Sequence, residues 1–187
     1  PFFLYGSTGL GKTHLLHAIG SFMEQQGSIQ RVLYLPAEHF SQELIRCLQR
    51  GHMDTFRDYY RYVDVLLIDD VQFLAGKTRS QEEFLHTFNT LYETGKQLVL
   101  ASDRPPQEIT PLQERLRSRF LCGLIADIPP PDLETRIAIL CRKAEELKLT
   151  LSSQVALYVA SHIKSNVRDL ESCLARLRGC CFSQGTR

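Results

Sequence analysis

Two short stretches hold residues whose types and spacing suit chemistry on a phosphate. GSTGLGKT, from Gly6 to Thr13, fits the pattern G-x-x-x-x-G-K-[ST] and sits between an apolar, strand-like run and a helical stretch. Its glycines let backbone N–H groups turn inward around phosphate oxygens, and the start of the following helix adds partial positive charge. Lys12 then reaches the β- and γ-phosphates, and the Thr13 hydroxyl is a ligand for magnesium. Gly6, Thr8, Gly9, Leu10, Gly11, Lys12, Thr13 and the adjoining His14 are the candidate ligands of ATP or ADP. The competing reading is a glycine-rich turn with a stray lysine, and the strand–loop–helix context argues against it.

The second stretch is DVLLIDDVQF, residues 64–73, where apolar residues lead straight into Asp69 and Asp70. Adjacent like charges repel, and carboxylates near a core are costly to desolvate. A divalent cation, or a water that needs positioning, makes the placement worthwhile. The strand is expected to lie beside the loop-bearing strand, with both acids at the carboxyl edge where such sheets bind ligands. There Asp69 can hold Mg2+ directly or through water, and Asp70 can polarise an attacking water. A solvated strand end is the alternative.

Three further segments carry polar residues for the same site. ASDR (101–104) ends a strand, so Ser102 and Asp103 arrive at the same edge unless they form a plain turn. SNVRDLE (165–171) starts a helix; with Ser165 as its N-cap, Arg168 is the third helical residue. A cation there opposes the helix dipole, and a bound phosphate would reverse that sign. Pairing with Glu171 is the alternative. PLQERLRSRF (111–120) places Arg115 and Arg119 one turn apart on a helix anchored by Leu112 and Leu116. They lie far along the chain from the phosphate loop and can reach a neighbour's nucleotide. An arginine supplied in trans raises the rate by about 10³–10⁵, whereas a solvated basic face would do nothing.

The elements that must position these residues are legible in the apolar pattern. FFLYG (2–6), RVLYLP (31–36), VDVLLID (63–69), QLVLAS (97–102) and GLIADI (123–128) read as buried parallel strands. Helices lie between them. Residues 13–26 align Leu15, Leu16, Ile19, Phe22 and Met23, and residues 80–93 align Phe84, Leu85, Phe88 and Leu91. The second of these opens with SQEE, which reads as a capping box of Ser80 and Glu83. Strand–helix alternation predicts an α/β fold, a three-layer αβα parallel sheet with right-handed crossovers. IPPPD (128–132) breaks the pattern, and helices are predicted at 132–148, 152–163 and 166–178. The expected division is a nucleotide-binding α/β part, 1–130, and a small all-α lid, 131–187.

Composition fits this reading. The chain has 187 residues, 43% hydrophobic and 23% charged, with a net charge of +1, so any nucleic-acid surface must be local. No apolar run approaches the roughly 18 residues of a transmembrane segment. The opening residues carry no secretory pattern, and FFLYG after Pro1 reads as the middle of a strand, so a piece of a longer protein is expected. Cys47, Cys122, Cys141, Cys173, Cys180 and Cys181 form no C-x-x-C pair, which points to reduced thiols and a cytoplasmic location. His14 and His17 share a helix face without a third metal ligand nearby in sequence, and read as ordinary helix residues.

GLGKTHLLHAIG (9–20), LLIDDVQF (66–73), RSQEEFLHTFNTL (79–91), RLRSRF (115–120) and SNVRDLE (165–171) together resemble the AAA+ ATPase domain of the bacterial DnaA replication initiators. The matches are spread over nearly the whole chain, so the resemblance is far more specific than a phosphate loop. It implies ATP binding with slow hydrolysis, and ATP-dependent self-association into a helical filament at the origin. It makes Asp103 the sensor 1 residue, Arg119 the arginine finger with Arg115 beside it, and Arg168 sensor 2. It also implies single-stranded DNA binding by an insertion of helices between the second and third strands. Ile45, outside the Phe40, Leu44, Cys47 and Leu48 stripe of a helix at 38–50, matches the apolar contact. Lys77 and Arg79 match the basic contacts, and Ser80 is a further candidate phosphate contact; Arg46, Arg50, Arg57 and Arg61 with Tyr59, Tyr60 and Tyr62 form a diffuse neighbourhood. The family's helix-turn-helix and helicase-interacting modules, and so its contact with the replicative helicase machinery, belong to parts outside this sequence. An AAA+ helicase loader or a DnaA-like regulator would share the ATP site without needing Ile45, Lys77 and Arg79. A scaffold with a relic loop is disfavoured by the intact set of Lys12, Thr13, Asp69, Asp103, Arg119 and Arg168.

Overall fold

A computed structural model describes residues 1–27 and 31–183, with backbone alone for 180–183. Helices and strands alternate as β1 (Phe2–Tyr5), α1 (Lys12–Gln25), β2 (Val32–Pro36), α2 (Ala37–Arg50), α3 (Met53–Arg61), β3 (Val65–Asp69), α4 (Thr78–Glu93), β4 (Gln97–Ser102), α5 (Glu114–Phe120) and β5 (Leu124–Asp127). Three helices follow: α6 (Leu133–Glu146), α7 (Ser153–His162) and α8 (Val167–Ser183). The described residues divide into two compact units, 1–6 with 12–27 and 31–128, and 7–11 with 129–183.

In the first unit all paired strands are parallel, in the order β2-β3-β4-β1-β5. All five residues of β3 are buried, because helices cover both faces. Successive side chains alternate sides. Leu66 and Ile68 join a core with Phe40, Phe84, Phe88 and Phe120, while Val65 and Leu67 join Leu16 on the other face. Phe84 is fully buried against the rings of Phe40 and Phe120 at 5.2 and 6.2 Å. Phe84→Ala is expected to lower the unfolding free energy by about 3–5 kcal/mol. Urea denaturation checks this, and a shift in midpoint worth less than about 1 kcal/mol would show that the aromatic cluster does not hold this layer.

The structure corrects several expectations. β3 does not lie beside β1, because β4 sits between them. α1 still brings the phosphate loop's end to β3, since it crosses the sheet over β4 and β3 and packs Leu16 against Val65, Leu67, Val99 and Ala101. The capping box is absent: α4 starts at Thr78, so Ser80 and Glu83 lie inside the helix. Glu83 instead accepts both Arg57 Nε and Nη2, at 2.8 and 2.9 Å. Ser80 is only 4% exposed, which removes it as a phosphate contact. α5 begins at Glu114 rather than at 111, because Gln81 ties the preceding segment down, donating to the Pro111 carbonyl at 3.1 Å and accepting from Gln113 N–H at 2.8 Å.

In the second unit Leu140, Ala144, Val159, Ala160, Leu170 and Leu174 form a core of their own. Asp132 caps α6 by accepting the Thr135 N–H at 2.8 Å. Arg136 ties α6 to α7 and to the proline segment, donating to the Ala160 and Pro131 carbonyls at 2.8 and 2.7 Å. α8 begins after Asn166, whose Oδ1 accepts the Asp169 N–H at 2.8 Å. Asn166 rather than Ser165 is therefore the cap, and Arg168 is the second helical residue, not the third. Ser165 instead donates to the Asp169 carboxylate.

Candidate nucleotide site at the sheet edge

β1 and β4 are neighbours, and the chain leaves them toward opposite edges, to β2 after β1 and to β5 after β4. Such a reversal opens a crevice at the carboxyl ends of the strands. Gly6 follows β1 there, Ser102 ends β4, and Asp103 is the residue after it. A side chain at Gly6 would place its Cβ 2.5 Å from the Ile128 carbonyl oxygen, so only glycine fits. The Gly6 carbonyl accepts the Lys12 ammonium at 2.8 Å, and Lys12 is 7% exposed. A buried ammonium donating to one carbonyl can turn that donor to a phosphate oxygen.

Thr13, in the first turn of α1, donates its hydroxyl to Asp69 Oδ2 at 2.5 Å. The Tyr34 hydroxyl, from β2, donates to the same oxygen at 3.3 Å. Burial first, then the Asp69 carboxylate, pushes the Tyr34 phenol up to about 12. Its ring lies 4.1 Å from that of His17. Hydroxyl and carboxylate oxygens are the hard donors that Mg2+ prefers, so Thr13 and Asp69 fit that ion. Among the described residues no group of three or more His, Cys, Asp or Glu is placed to hold a metal. The remaining coordination would come from phosphate oxygens and water.

Asp70 has a left-handed backbone, φ 54° and ψ 49°, uncommon for a residue other than glycine. Its N–H donates to Asp69 Oδ1 at 3.0 Å, and its Oδ1 accepts Gln72 Nε2 at 2.9 Å. Gln72 Oε1 in turn accepts the Asp103 N–H at 3.3 Å. The Asp103 carboxylate pairs with Arg104 through two bonds of 2.8 Å. The Arg104 guanidinium, with Lys12 as a smaller contribution, holds the Asp103 carboxyl below its usual range. Beside this link opens a cleft of about 220 Å³ lined by Gln72, Phe73, Asp103, Arg104 and Ile109, among others.

Sequence alone gives Tyr34, Gln72 and Arg104 no part in the site. Gln72 and Arg104 follow Asp70 and Asp103 at two and one residues, which is a usable signal, whereas Tyr34 reads as one more core aromatic.

Of the other loop residues, Leu10 is 9% exposed, and Thr8, Gly11 and His14 are exposed. Gly9 belongs to the second unit. Its φ is 81°, its carbonyl accepts the Val167 N–H at 3.0 Å, and an added Cβ would lie 2.9 Å from Asn166 Oδ1. Arg168, exposed in the first turn of α8, does not pair with Glu171, which instead meets Lys143 at 3.3 Å.

On α5, Arg115 is exposed, and Arg119 is half-exposed with its guanidinium 6.0 Å from the Tyr92 ring centroid. Neither has a carboxylate partner among the described residues, whereas Arg117 between them pairs with Glu114 at 2.7 Å. Ile45 is 51% exposed on α2. Lys77 and Arg79 are exposed at the start of α4, without an ion pair among the described residues. The diffuse basic and aromatic neighbourhood is smaller than the sequence suggests. Tyr60 is 1% exposed and donates to Glu43 at 3.1 Å, and Arg57 is committed to Glu83.

The bacterial DnaA ATPase domain family matches residues 1–127. The chromosomal replication initiator protein DnaA of Thermoanaerobacter sp. (strain X514) is 56% identical over 177 residues, covering 95% of this chain and 40% of that protein. The chain thus spans well under half the length of that relative. The crystal structure of domain III of the Thermotoga maritima DnaA superposes with a TM-score of 0.93 at 43% identity, covering 99% of this chain and 78% of that one. A DnaA structure holding AMPPCP and single-stranded DNA has a TM-score of 0.86 at 44% identity, covering 95% of this chain and 55% of that one. No helix among the described residues is long and apolar enough to cross a membrane. Loop, paired acids, sheet order and these likenesses agree, and the chain belongs to the family of bacterial DnaA ATPase domains.

Proposed function

We propose that this chain binds ATP at the carboxyl edge of its sheet, hydrolyses it slowly, and uses the bound nucleotide to license assembly on single-stranded DNA during origin opening. One observation carries this reading. Thr13 and Asp69, 56 positions apart in the chain, meet within hydrogen-bond distance in the unit that also buries Lys12. The AMPPCP and single-stranded DNA held by a 44% identical DnaA support it.

In this reading the Gly6–Thr13 loop and His14 contact the nucleotide, and the Lys12 ammonium turns from the Gly6 carbonyl to the β- and γ-phosphates. Thr13 and Asp69 hold Mg2+, which neutralises charge on the phosphates when bound. Asp70 orients a water and takes its proton. The water oxygen bonds to the γ-phosphorus as the bond to the β–γ bridging oxygen breaks, releasing ADP and phosphate. A carboxylate beside a polyanion repels it, and Arg104 offsets that charge at Asp103. Arg119, with Arg115 beside it, completes a neighbouring protomer's site, and Arg168 contacts the phosphates from the lid.

Ile45, Lys77 and Arg79 supply the DNA contacts. Arg79→Ala is expected to weaken single-strand binding in ATP about tenfold and to lower the salt slope by about 0.7, the loss of one phosphate contact. Ile45→Ala is expected to cost about 1 kcal/mol, roughly fivefold, with the slope unchanged, because only apolar contact is lost. Anisotropy titrations with labelled oligonucleotide in ATP and in ADP, at several salt concentrations, measure both. Unchanged affinity in both variants would favour a helicase loader or regulator that keeps only the ATP site.

A further inference from the structure

We infer that Gln72 is a positioning residue for hydrolysis, registering the Asp70 carboxylate against the end of β4 through its two amide groups. The inference rests on the reading of Asp70 as the group that orders the attacking water. Asp70 is poorly held by its own segment: its backbone is left-handed, φ 54°, and it precedes a 3-10 turn that its side chain does not cap. An aspartate has one fewer methylene than a glutamate, so its carboxylate must be aimed by something outside the residue.

Gln72 supplies that aim in both directions. Its Nε2 donates to Asp70 Oδ1 at 2.9 Å, and its Oε1 accepts the Asp103 backbone N–H at 3.3 Å. The amide orientation is fixed by these partners, since a carboxylate only accepts and a backbone N–H only donates. The link therefore joins the loop after β3 to the residue after β4. Those strands are paired, so the connection bridges their free ends where the sheet hydrogen bonds stop. A bond from Gln72 to one Asp70 oxygen leaves the other oxygen to face a water. Arg104 occupies both Asp103 carboxylate oxygens, so the Asp103 side chain is already committed and its backbone N–H is the anchor.

Two substitutions separate the two arms of the amide. Gln72→Glu keeps an acceptor for the Asp103 N–H but places a carboxylate against Asp70. Gln72→Met keeps length and volume and loses both bonds. Amide hydrogen exchange of Asp103, read by NMR on the nucleotide-free chain, reports the Oε1 arm without any turnover. Single-turnover hydrolysis and ATP affinity report the Nε2 arm. Gln72→Met is expected to raise Asp103 exchange about tenfold and to cut the hydrolysis rate about tenfold or more, with ATP affinity within about twofold. Gln72→Glu is expected to keep Asp103 protected while losing the rate. Asp70→Asn is the control for the underlying reading. If it is inactive while Gln72→Met hydrolyses normally, the positioning role is overturned and the role of Asp70 stands. If Asp70→Asn hydrolyses normally, the role of Asp70 falls, and with it the purpose of the bridge. Unaltered Asp103 exchange in Gln72→Met would overturn the bridge itself. A general loss of folding in Gln72→Met would appear as exchange throughout the sheet, and Gln72→Glu then carries the test alone.

Discussion

Lys12→Ala is expected to abolish measurable ATP binding while the chain stays folded. Lys12 is buried and donates to the Gly6 carbonyl at 2.8 Å, beside the β1 and β4 ends. Truncating one partner of a buried, hydrogen-bonded charge contact costs about 2–5 kcal/mol. At tenfold per 1.4 kcal/mol, ATP affinity should fall by at least about 30-fold. ADP keeps its β-phosphate contact to the same ammonium, so its affinity should fall as well. Folding loses the donor to the Gly6 carbonyl, a contact worth about 1–3 kcal/mol, so titrations belong below a thermal midpoint measured in the same buffer. Lys12→Arg does not rescue, because a planar guanidinium cannot replace a compact ammonium beneath a carbonyl. Calorimetric titration with ATP and with ADP decides it: unchanged affinity in Lys12→Ala would remove the phosphate-loop assignment.

Much of this site was legible because two of its parts are local. The spacing from Gly6 to Thr13 encodes a loop and a helix start, and the run before Asp69 encodes a buried strand. Periodicity also placed all five strands within two residues of their ends. What it did not give was which strands are neighbours. β3 was expected next to β1, and the intervening β4 depends on contacts between distant segments. The same limit explains the capping box. SQEE matches a local rule, but Glu83 is drawn into a pair with Arg57 of α3, a helix outside those expected from the apolar pattern. On α1 the buried stripe is narrower than the apolar pattern implies. Leu15 and Phe22 are 38% and 62% exposed, because Leu16 and Gly20 form the buried seam, and a Cβ on Gly20 would lie 2.8 Å from Leu67 Cδ1. Asn166 displaced Ser165 as the α8 cap because both residue types cap well, and only the backbone decides between neighbours. Gln72 is silent in the sequence for a related reason. An amide has no charge to signal chemistry, and its role appears only when β4 brings Asp103 beside it.

Arg119→Ala is expected to leave ATP affinity within about twofold and to abolish ATP-dependent assembly on single-stranded DNA. The two effects separate because of where Arg119 sits. It has no carboxylate partner among the described residues, and its guanidinium is half-exposed, 6.0 Å from the Tyr92 ring centroid. Arg117, on the same short helix, is consumed by Glu114. An unpaired guanidinium resting over an aromatic ring is held in place yet available, and its loss leaves no buried charge behind. Arginines supplied in trans contribute about 10³–10⁵ to turnover, so hydrolysis stimulated by assembly should disappear too. Arg119→Lys is expected to fall short of rescue, since one ammonium cannot make the paired bonds that a guanidinium offers to phosphate. Light scattering with a single-stranded oligonucleotide, in ATP and in ADP, reads assembly directly. A mixing experiment then tests the direction of transfer. Lys12→Ala protomers lack a working nucleotide site but keep Arg119, and Arg119→Ala protomers have the reverse defect. A finger acting across protomers predicts stimulated hydrolysis in the mixture that neither variant shows alone. A finger acting within its own protomer predicts none, and normal assembly of Arg119→Ala by itself would end the trans assignment.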